Sequence, residues 1–435
     1  MFIAACLLIY VYIAIFLLAT VLESAVLVLF FALFTAGAFF ALRSVGLCRT
    51  VEGAVSVLFI LCLLLALRMS FFNYETLDYK NFLSHWMDYY RTNNGFSALA
   101  HDVGNYNVPY LVFLSVFSYI GFSDLYMIKL LSVFFDTVLA FSLTLVVSHF
   151  TRSKKTLALC FLLSMVMPTV LLNGSLWGQC DSIYASFAVL CVFFGLKEKP
   201  VSCVAMAALS IAFKLQGIFI LPVLILLLIK RRIRLIHLVA FPFVYYLAVS
   251  PAVIAGRPVW DTITFYVKNA DSVGSGLNYN SPSVFSLFYS VSDTSRAAAA
   301  GIAAAFLLCL IVFVVFFVFR KKASDFALLT ASMIIVLGIP MFLPHMHERY
   351  FFIADILVLA IALIKPIAVP AVPLISFASL LGYHAYLKQR YLLSMSIGFY
   401  ALVITLVCLG AIFVSELKYP SRLAPYRHRG QTENE

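Results

Sequence analysis

The sequence predicts an all-α polytopic membrane protein, and three observations carry that prediction. Of its 435 residues 64% are hydrophobic and only 11% are charged, with a mean hydropathy of +1.04, a balance far outside that of soluble domains. Apolar runs recur along the whole chain without the period-two alternation of a barrel strand. The Lys and Arg residues behind the net charge of +11 fall in short clusters between those runs, as the positive-inside rule expects. The basic balance therefore reads as topology, and no nucleic-acid partner is expected. Nine cysteines (Cys6, Cys48, Cys62, Cys160, Cys180, Cys191, Cys203, Cys309 and Cys408) occur singly, with neither CxxC nor metal spacing, and read as small membrane residues.

The N-terminus lacks a basic n-region and a cleavage site, so its first apolar run, at about 2–20, is expected to remain as a span. A second run at about 25–42 leads to Arg43 and Arg49, and a third at about 54–70 leads to a polar stretch from Asn73 to Tyr110. With the arginines inside, that stretch lies outside. Within it Tyr79, Phe82, Leu83, Trp86, Tyr89 and Tyr90 fall at helical spacing on one face, while Asp78, Asn81, His85 and Asp88 occupy the other. The pattern predicts a helix lying on the membrane surface, with Asp78 in its N-terminal turn and Gly95 ending it. Two readings of Asp78 stand at this point. It is a first-turn charge that complements the helix dipole, or a general base at the bilayer boundary, where partial desolvation suits a carboxylate to proton abstraction.

The next apolar piece, about 108–122, is short for hydrocarbon at roughly 22 Å as a helix, and is expected to be re-entrant or interfacial. Were it to cross, the following span at about 125–148 would leave Arg152, Lys154 and Lys155 outside. A span at about 156–172 then rises to Asn173–Asp181 outside, and one at about 182–196 returns to Lys197 and Lys199. Two short runs, about 201–213 and 217–229, are separated by Lys214, Leu215 and Gln216 and closed by Lys230, Arg231, Arg232 and Arg234. They predict a hairpin of half-helices that brings Lys214 and Gln216 to a cavity below the outer surface. A lysine at that depth needs water or an anion, the bland alternative being snorkelling at a helix end. A span at about 235–255 reaches a second outer loop, 256–295, rich in Gly, Ser and Asn and suited to closing over a substrate. Spans at about 300–319, 326–343, 350–364, 367–383 and 391–415 complete a single membrane domain of about 12 to 14 segments, with a basic cytoplasmic tail over 416–435. The string from Pro344 to Tyr350 falls outside.

Three polar patches thus share the outer side: Asp78 with His85; Trp177, Gln179 and Asp181 with the Lys214/Gln216 tip; and His345, His347, Glu348 and Arg349. Lys214, the two histidines and Arg349 suit a phosphate, which Arg349 can hold with two N–H groups. Lys214 has no evident partner in the sequence, whereas Arg349 has Glu348 or Asp355 as alternative structural partners. Two histidines and a glutamate also suggest a metal, but histidines two apart point different ways and HExxH is absent. A divalent metal is the less favoured reading, and no cofactor is expected.

The strings LDYKNFLSHW, GNYNVPY, SLWGQCDSIY, FKLQGIFILPV and FLPHMHERYFF, in that order over roughly residues 70–360, resemble bacterial membrane mannosyltransferases related to the enzyme that adds the second mannose of GPI anchors. That group is similar to the GT-C glycosyltransferases, and the HxHE[KR] string also resembles dolichyl-phosphate-glucose glucosyltransferases of N-glycan assembly. The resemblance implies that Asp78 is the first-loop acid and base. It implies that Tyr106 and Tyr110 mark the aromatic and proline exit of that loop. Gln179, Asp181, Lys214, Gln216, His345, His347, Glu348 and Arg349 then match polar positions that line the family's outer cavity. Where many GT-C enzymes carry two close acids, this chain has Leu77 before Asp78, which favours a single base without metal. The runs at 2–42 look like an addition to the simplest family layout. The expected function is inverting transfer of a hexose, such as mannose, from a polyprenyl phosphate to a glycan or glycolipid acceptor at the outer face of the plasma membrane, among membrane lipids. Its rivals are a polymerase or ligase acting on lipid diphosphates and, from another class, a lipid-linked sugar flippase. A flippase should show paired half-sequences, and no clear internal repeat is present.

Overall fold

The computed structural model describes residues 2–18, 20–269, 274–288 and 292–421, so most of the basic tail at 416–435 and parts of the 256–295 loop lie outside the described residues. Nineteen α-helices follow one another: α1 (Phe2–Leu17), α2 (Val21–Ser44), α3 (Val51–Met69), α4 (Ser84–Thr92), α5 (Val108–Phe117), α6 (Asp124–Phe150), α7 (Lys154–Val166), α8 (Pro168–Leu171), α9 (Asp181–Leu196), α10 (Pro200–Phe213), α11 (Leu221–Ile229), α12 (Ala240–Ile254), α13 (Val259–Ile263), α14 (Phe265–Lys268), α15 (Thr294–Val318), α16 (Asp325–Phe342), α17 (Phe352–Ile364), α18 (Ala371–Lys388) and α19 (Met395–Lys418). Among the described residues the only strands are the two-residue β1 (Asn278–Tyr279) and β2 (Met346–His347). Among the described residues eight helices are long and apolar enough to cross a membrane, or nine if one bent pair counts as a span, so the chain is an all-α multi-pass membrane protein. The remaining apolar segments, including α5, α9, α10 and α17, have 10 to 17 residues. They are too short to cross alone at 1.5 Å per residue.

Burial sorts the helices. The apolar window of α16 is 94% buried and that of α6 is 72%, against 22% for α2 and 28% for α15. The core therefore forms around α6, α9, α16 and α17, while α2 and α15 turn residues such as Leu33, Phe306 and Leu310 outward.

The expected continuous span at 156–172 is broken. Pro168 lacks an N–H and stops α7, the axis bends by 48°, and the chain continues through α8 into a π-turn over Leu172–Trp177. Gly174 in that turn packs so closely on the Asp136 carboxylate that a Cβ would collide with it. Asp136 belongs to a fully buried ion pair with Arg68 of α3, whose guanidinium also donates to Ser175 Oγ (3.1 Å) and the Met165 carbonyl (2.6 Å); Ser182 of α9 donates to Asp136. One buried pair thus joins α3, α6, α7, α9 and the π-turn. Lys129 of α6 then covers the chain where it leaves α3, donating to the carbonyls of Phe71 (2.8 Å), Phe72 (3.1 Å) and Tyr74 (2.6 Å). These contacts moor the chain where it enters the segment that carries Asp78.

The surface helix forms as a π-turn over Tyr79–Leu83 running into α4, with Leu83, Trp86 and Tyr90 buried and Asn81, His85 and Asp88 exposed. Its end differs from expectation. α4 stops at Thr92 and the left-handed residue that reverses the chain is Asn94 (φ 59°), while Gly95 opens a 3₁₀ turn. The hairpin at Lys214 does fold back, because Gly217 sits where a Cβ would strike the backbone of Ser210.

The clusters rich in Lys and Arg gather at one end of the bundle. There Asp325 accepts hydrogen bonds from Arg232 and His149, Lys230 caps the Ala323 carbonyl, and Lys365 pairs with Glu416. The polar loops meet elsewhere.

Candidate functional site

The segment entering the surface helix, the 173–181 turn, the Lys214 tip, the 345–350 string and the end of α18 converge on one cavity of about 320 Å³. That is within the range of small-ligand sites. Asp78 stands in its wall. It occupies the residue before the π-turn with helical backbone angles, and its side chain makes no capping bond to that turn. Its Oδ2 instead accepts from the Trp177 indole (2.8 Å) and the Gln179 amide, and its Oδ1 accepts from the Tyr386 hydroxyl. A carboxylate offers about four lone-pair directions. Three are taken by donors from two other elements, which fixes the carboxyl plane and leaves one direction for a hydroxyl in the cavity.

Trp177 organises this corner. Tyr386 stacks on it (centroids 4.3 Å apart, 11° between planes), and the Arg349 guanidinium lies 5.1 Å from its ring centroid. The stack is locked from behind by Tyr383, whose ring meets Trp177 edge-on.

Opposite Asp78 stand the cations, and here one expectation is overturned. Lys214 is not without a partner: it pairs with Asp181, which is 1% exposed, and reaches Gln179 Oε1 at 3.5 Å. Asp181 also accepts from the Asn173 amide (2.7 Å) and lies 3.7 Å from Arg349 Nε. Arg349 pairs with Glu348 and Asp181; Asp355, the other candidate partner, is not in contact with it. Burial pushes the Glu348 carboxyl up, but Arg349 and His347 outweigh it and hold the group below the usual carboxylate range. Burial likewise works against the Arg349 charge, and Glu348 and Asp181 more than restore it. The site therefore presents three carboxylates and two cations, with both cations facing the cavity from within ion pairs.

Seven of the thirteen residues singled out from the sequence line this cavity: Asp78, Tyr106, Gln179, Lys214, Gln216, His347 and Arg349. Four stand behind the wall and support it. Trp177 and Asp181 hold Asp78 and Lys214, Glu348 holds Arg349, and Tyr110 meets Tyr106 edge-on at 4.9 Å. Tyr106 in turn donates to Gln179 Oε1 (2.9 Å), and burial raises its phenol well above the ordinary value. Two residues stand apart. His85 is exposed on the outer face of α4 and lines no part of the cavity. His345 adopts a left-handed backbone (φ 62°) that turns its ring away, to the carbonyl of Gly276 (2.7 Å). The two histidines of the HMHE string therefore diverge, since His347 stacks on Tyr279 at 4.7 Å. Among the described residues no group of three His, Cys, Asp or Glu side chains is placed to hold a metal ion. The contacts at Gly276 and Tyr279, with the short parallel pairing of β1 and β2, bring the described part of the 256–295 loop down onto the string.

Sequence reasoning missed Tyr386, and with it Asn105, Asn107, Tyr266 and Tyr350 of the lining. Tyr386 had a signal. It lies three residues after Tyr383, so both rings share the face of α18 that meets Trp177. Tyr266 has a second role, since it also borders an apolar groove of about 450 Å³ beside the cavity, walled by Phe241, Tyr245 and Val267. No protein-family model matches this chain, and no curated protein matches it.

Proposed function

We propose that the protein is an inverting membrane glycosyltransferase of GT-C type, which transfers a hexose such as mannose from a polyprenyl phosphate to a glycan or glycolipid acceptor at the outer face of the plasma membrane. The observation that carries this reading is a single cavity in which a fixed carboxylate, Asp78, faces two cations, Lys214 and Arg349, with an apolar groove alongside. Such a site suits an amphiphilic donor, with the sugar phosphate among the polar groups and the isoprenoid chain against Phe241 and Tyr245.

The acceptor hydroxyl takes the remaining lone-pair direction of Asp78. As its oxygen bonds to the anomeric carbon, its proton passes to Asp78 and the carbon–oxygen bond to phosphate breaks on the opposite face. The departing lipid phosphate gathers charge, which the Arg349 fork and Lys214 stabilise. Asp181 and Glu348 already compensate much of the cationic charge. That favours a monophosphate over the more highly charged diphosphate of a polymerase or ligase.

The test is release of polyprenyl phosphate by the purified chain supplied with polyprenyl-phosphate mannose and an acceptor. Asp78→Asn keeps an oxygen and the size of the side chain but cannot take the proton, so donor binding should persist while transfer falls about 10²–10⁴-fold. Transfer near the wild-type rate in this variant would remove Asp78 from the chemistry.

A further inference from the structure

Six residues past Arg349, inside α17, Asp355 is 1% exposed, and neither of its carboxylate oxygens has a hydrogen-bond partner among the described residues. Two hydroxyls come near it at the margin of hydrogen-bonding geometry: Ser379 of α18 and Thr169 of α8. Both are buried and both are themselves unpartnered. A fifth oxygen, Oδ1 of Asn173, lies one turn beyond Thr169 in the chain and is also buried without a partner. The amide nitrogen of Asn173 is committed, donating to Asp181 (2.7 Å) and to the Tyr383 hydroxyl (2.9 Å), so the amide orientation is set and its oxygen faces the other way. The nearby cations are engaged elsewhere: Arg349 with Glu348 and Asp181, Lys214 with Asp181, and Arg68 with Asp136.

A carboxylate in a low-dielectric interior is costly unless its charge is met. Here its nearest polar neighbours are two hydroxyls, and among the described residues no N–H and no cation meets its charge. An oxygen-only set with one formal negative charge suits a hard monovalent cation, as oxygen ligands do generally. The backbone agrees with this. Pro168 breaks the helix immediately before Thr169, and discontinuous helices are where membrane proteins place cation sites.

We propose that Asp355, Thr169, Ser379 and Asn173 form a binding site for a sodium ion. The ion neutralises Asp355 and takes the orphaned oxygen of Asn173, fixing the amide whose nitrogen holds Asp181. Through Asp181 it steadies Lys214 in the cavity wall. Sodium is then a structural effector, bound outside the cavity, that pre-organises it.

Binding can be tested without any sugar transfer. The full chain is purified in detergent without sodium, and its unfolding midpoint is measured while sodium chloride replaces N-methylglucamine chloride at constant ionic strength. A saturable rise of a few degrees is expected, absent with potassium, together with about one radioactive sodium ion bound per chain. Asp355→Asn should abolish both. Ser379→Ala, a milder change, should raise the sodium concentration at half-effect several-fold. Equal midpoints in sodium and N-methylglucamine would overturn the site, and would mean that Asp355 is a neutral acid or holds a buried water. A sodium effect that persists unchanged in Asp355→Asn, or in Ser379→Ala should the first variant not fold, would also overturn it by placing the ion elsewhere.

Discussion

Tyr386→Phe isolates the grip on Asp78. The substitution deletes the hydroxyl that donates to Oδ1 and leaves the ring, which stacks on Trp177 at 4.3 Å. Trp177 and Gln179 still hold Oδ2, so the carboxyl keeps its place but gains freedom to turn about its Cβ–Cγ bond. A hydrogen bond to a charged group contributes about 1.5–3 kcal/mol. Asp78 borders a cavity, however, so water replaces the lost donor and most of that is recovered in the resting protein. Stability should therefore change by less than about 1 kcal/mol. The transition state recovers less, because the oxygen that takes the proton must be aligned on the attacking hydroxyl, and a loss of about 1.4 kcal/mol there is a tenfold fall in rate. Transfer from polyprenyl-phosphate mannose, measured at saturating donor, should drop about tenfold in kcat with the donor KM little changed. Trp177→Phe, which removes a donor to the other oxygen, should act through the same carboxyl, so the double variant should lose less than the product of the two single effects. A well-folded Tyr386→Phe protein with wild-type kcat would refute the reasoning, since the base would then need no alignment or would not be Asp78.

Arg349→Lys keeps a positive charge for Glu348 but loses the planar fork and its stacking on Trp177. Its thermal midpoint should stay close to wild type while kcat falls at least about tenfold, and unchanged kinetics would reduce Arg349 to a structural pair. Arg68→Met or Asp136→Asn alone disrupts a fully buried ion pair, and each should destabilise the detergent-solubilised protein by about 3–5 kcal/mol in chemical unfolding. Replacing both with apolar residues should recover most of that loss, and equal damage in single and double variants would show that packing around Gly174, not charge, sets the cost. For orientation, an impermeant thiol reagent on intact cells should label Asn94→Cys and leave Lys154→Cys unlabelled; the opposite pattern would invert the assignment of faces.

The multi-pass, all-α character and the long spans were legible because hydropathy integrates over many residues. The runs at 182–196 and 350–364, expected as spans, form helices too short to cross alone, so the expected 12 to 14 segments reduce to eight or nine among the described residues. The surface helix was legible too, since an aromatic face from Tyr79 to Tyr90 opposite Asn81, His85 and Asp88 is a local signal. Its end was not, because Asn94 and Gly95 both adopt positive φ and sequence alone cannot choose which one reverses the chain. The site divides along the same line. Residues that reach the cavity from loops could be found as polar patches between apolar runs, as Lys214, Gln179 and Arg349 were. Their partners could not. Trp177 meets Asp78 across 99 positions and Tyr386 across 308, distances at which no periodicity connects them. Lys214 looked unpaired because Asp181 lies 33 positions away at the start of another helix. His85 failed for a related reason: it shares a helix face with Asp78 on paper, but the π-turn adds an offset that sends it to solvent.

The pairing of Lys214 and Arg349 with acids bears directly on turnover in the proposed reaction. Two uncompensated cations beside a low-dielectric groove would bind the donor's phosphate tightly, and would hold the product lipid phosphate, which carries one more charge, more tightly still. Much of that binding would be uniform, lowering KM and slowing release with no gain in kcat. With Asp181 and Glu348 in place the resting field at the cavity is modest, yet Arg349 and Lys214 still line the cavity in which, on the proposed reaction, charge develops as the bond to phosphate breaks. Their contribution is thereby weighted toward the transition state. On this reasoning Asp181→Asn, which removes the acid but retains hydrogen-bonding atoms beside Lys214, should strengthen donor binding while lowering kcat. A variant that weakens donor binding instead would show that Asp181 acts only to hold Lys214 in place.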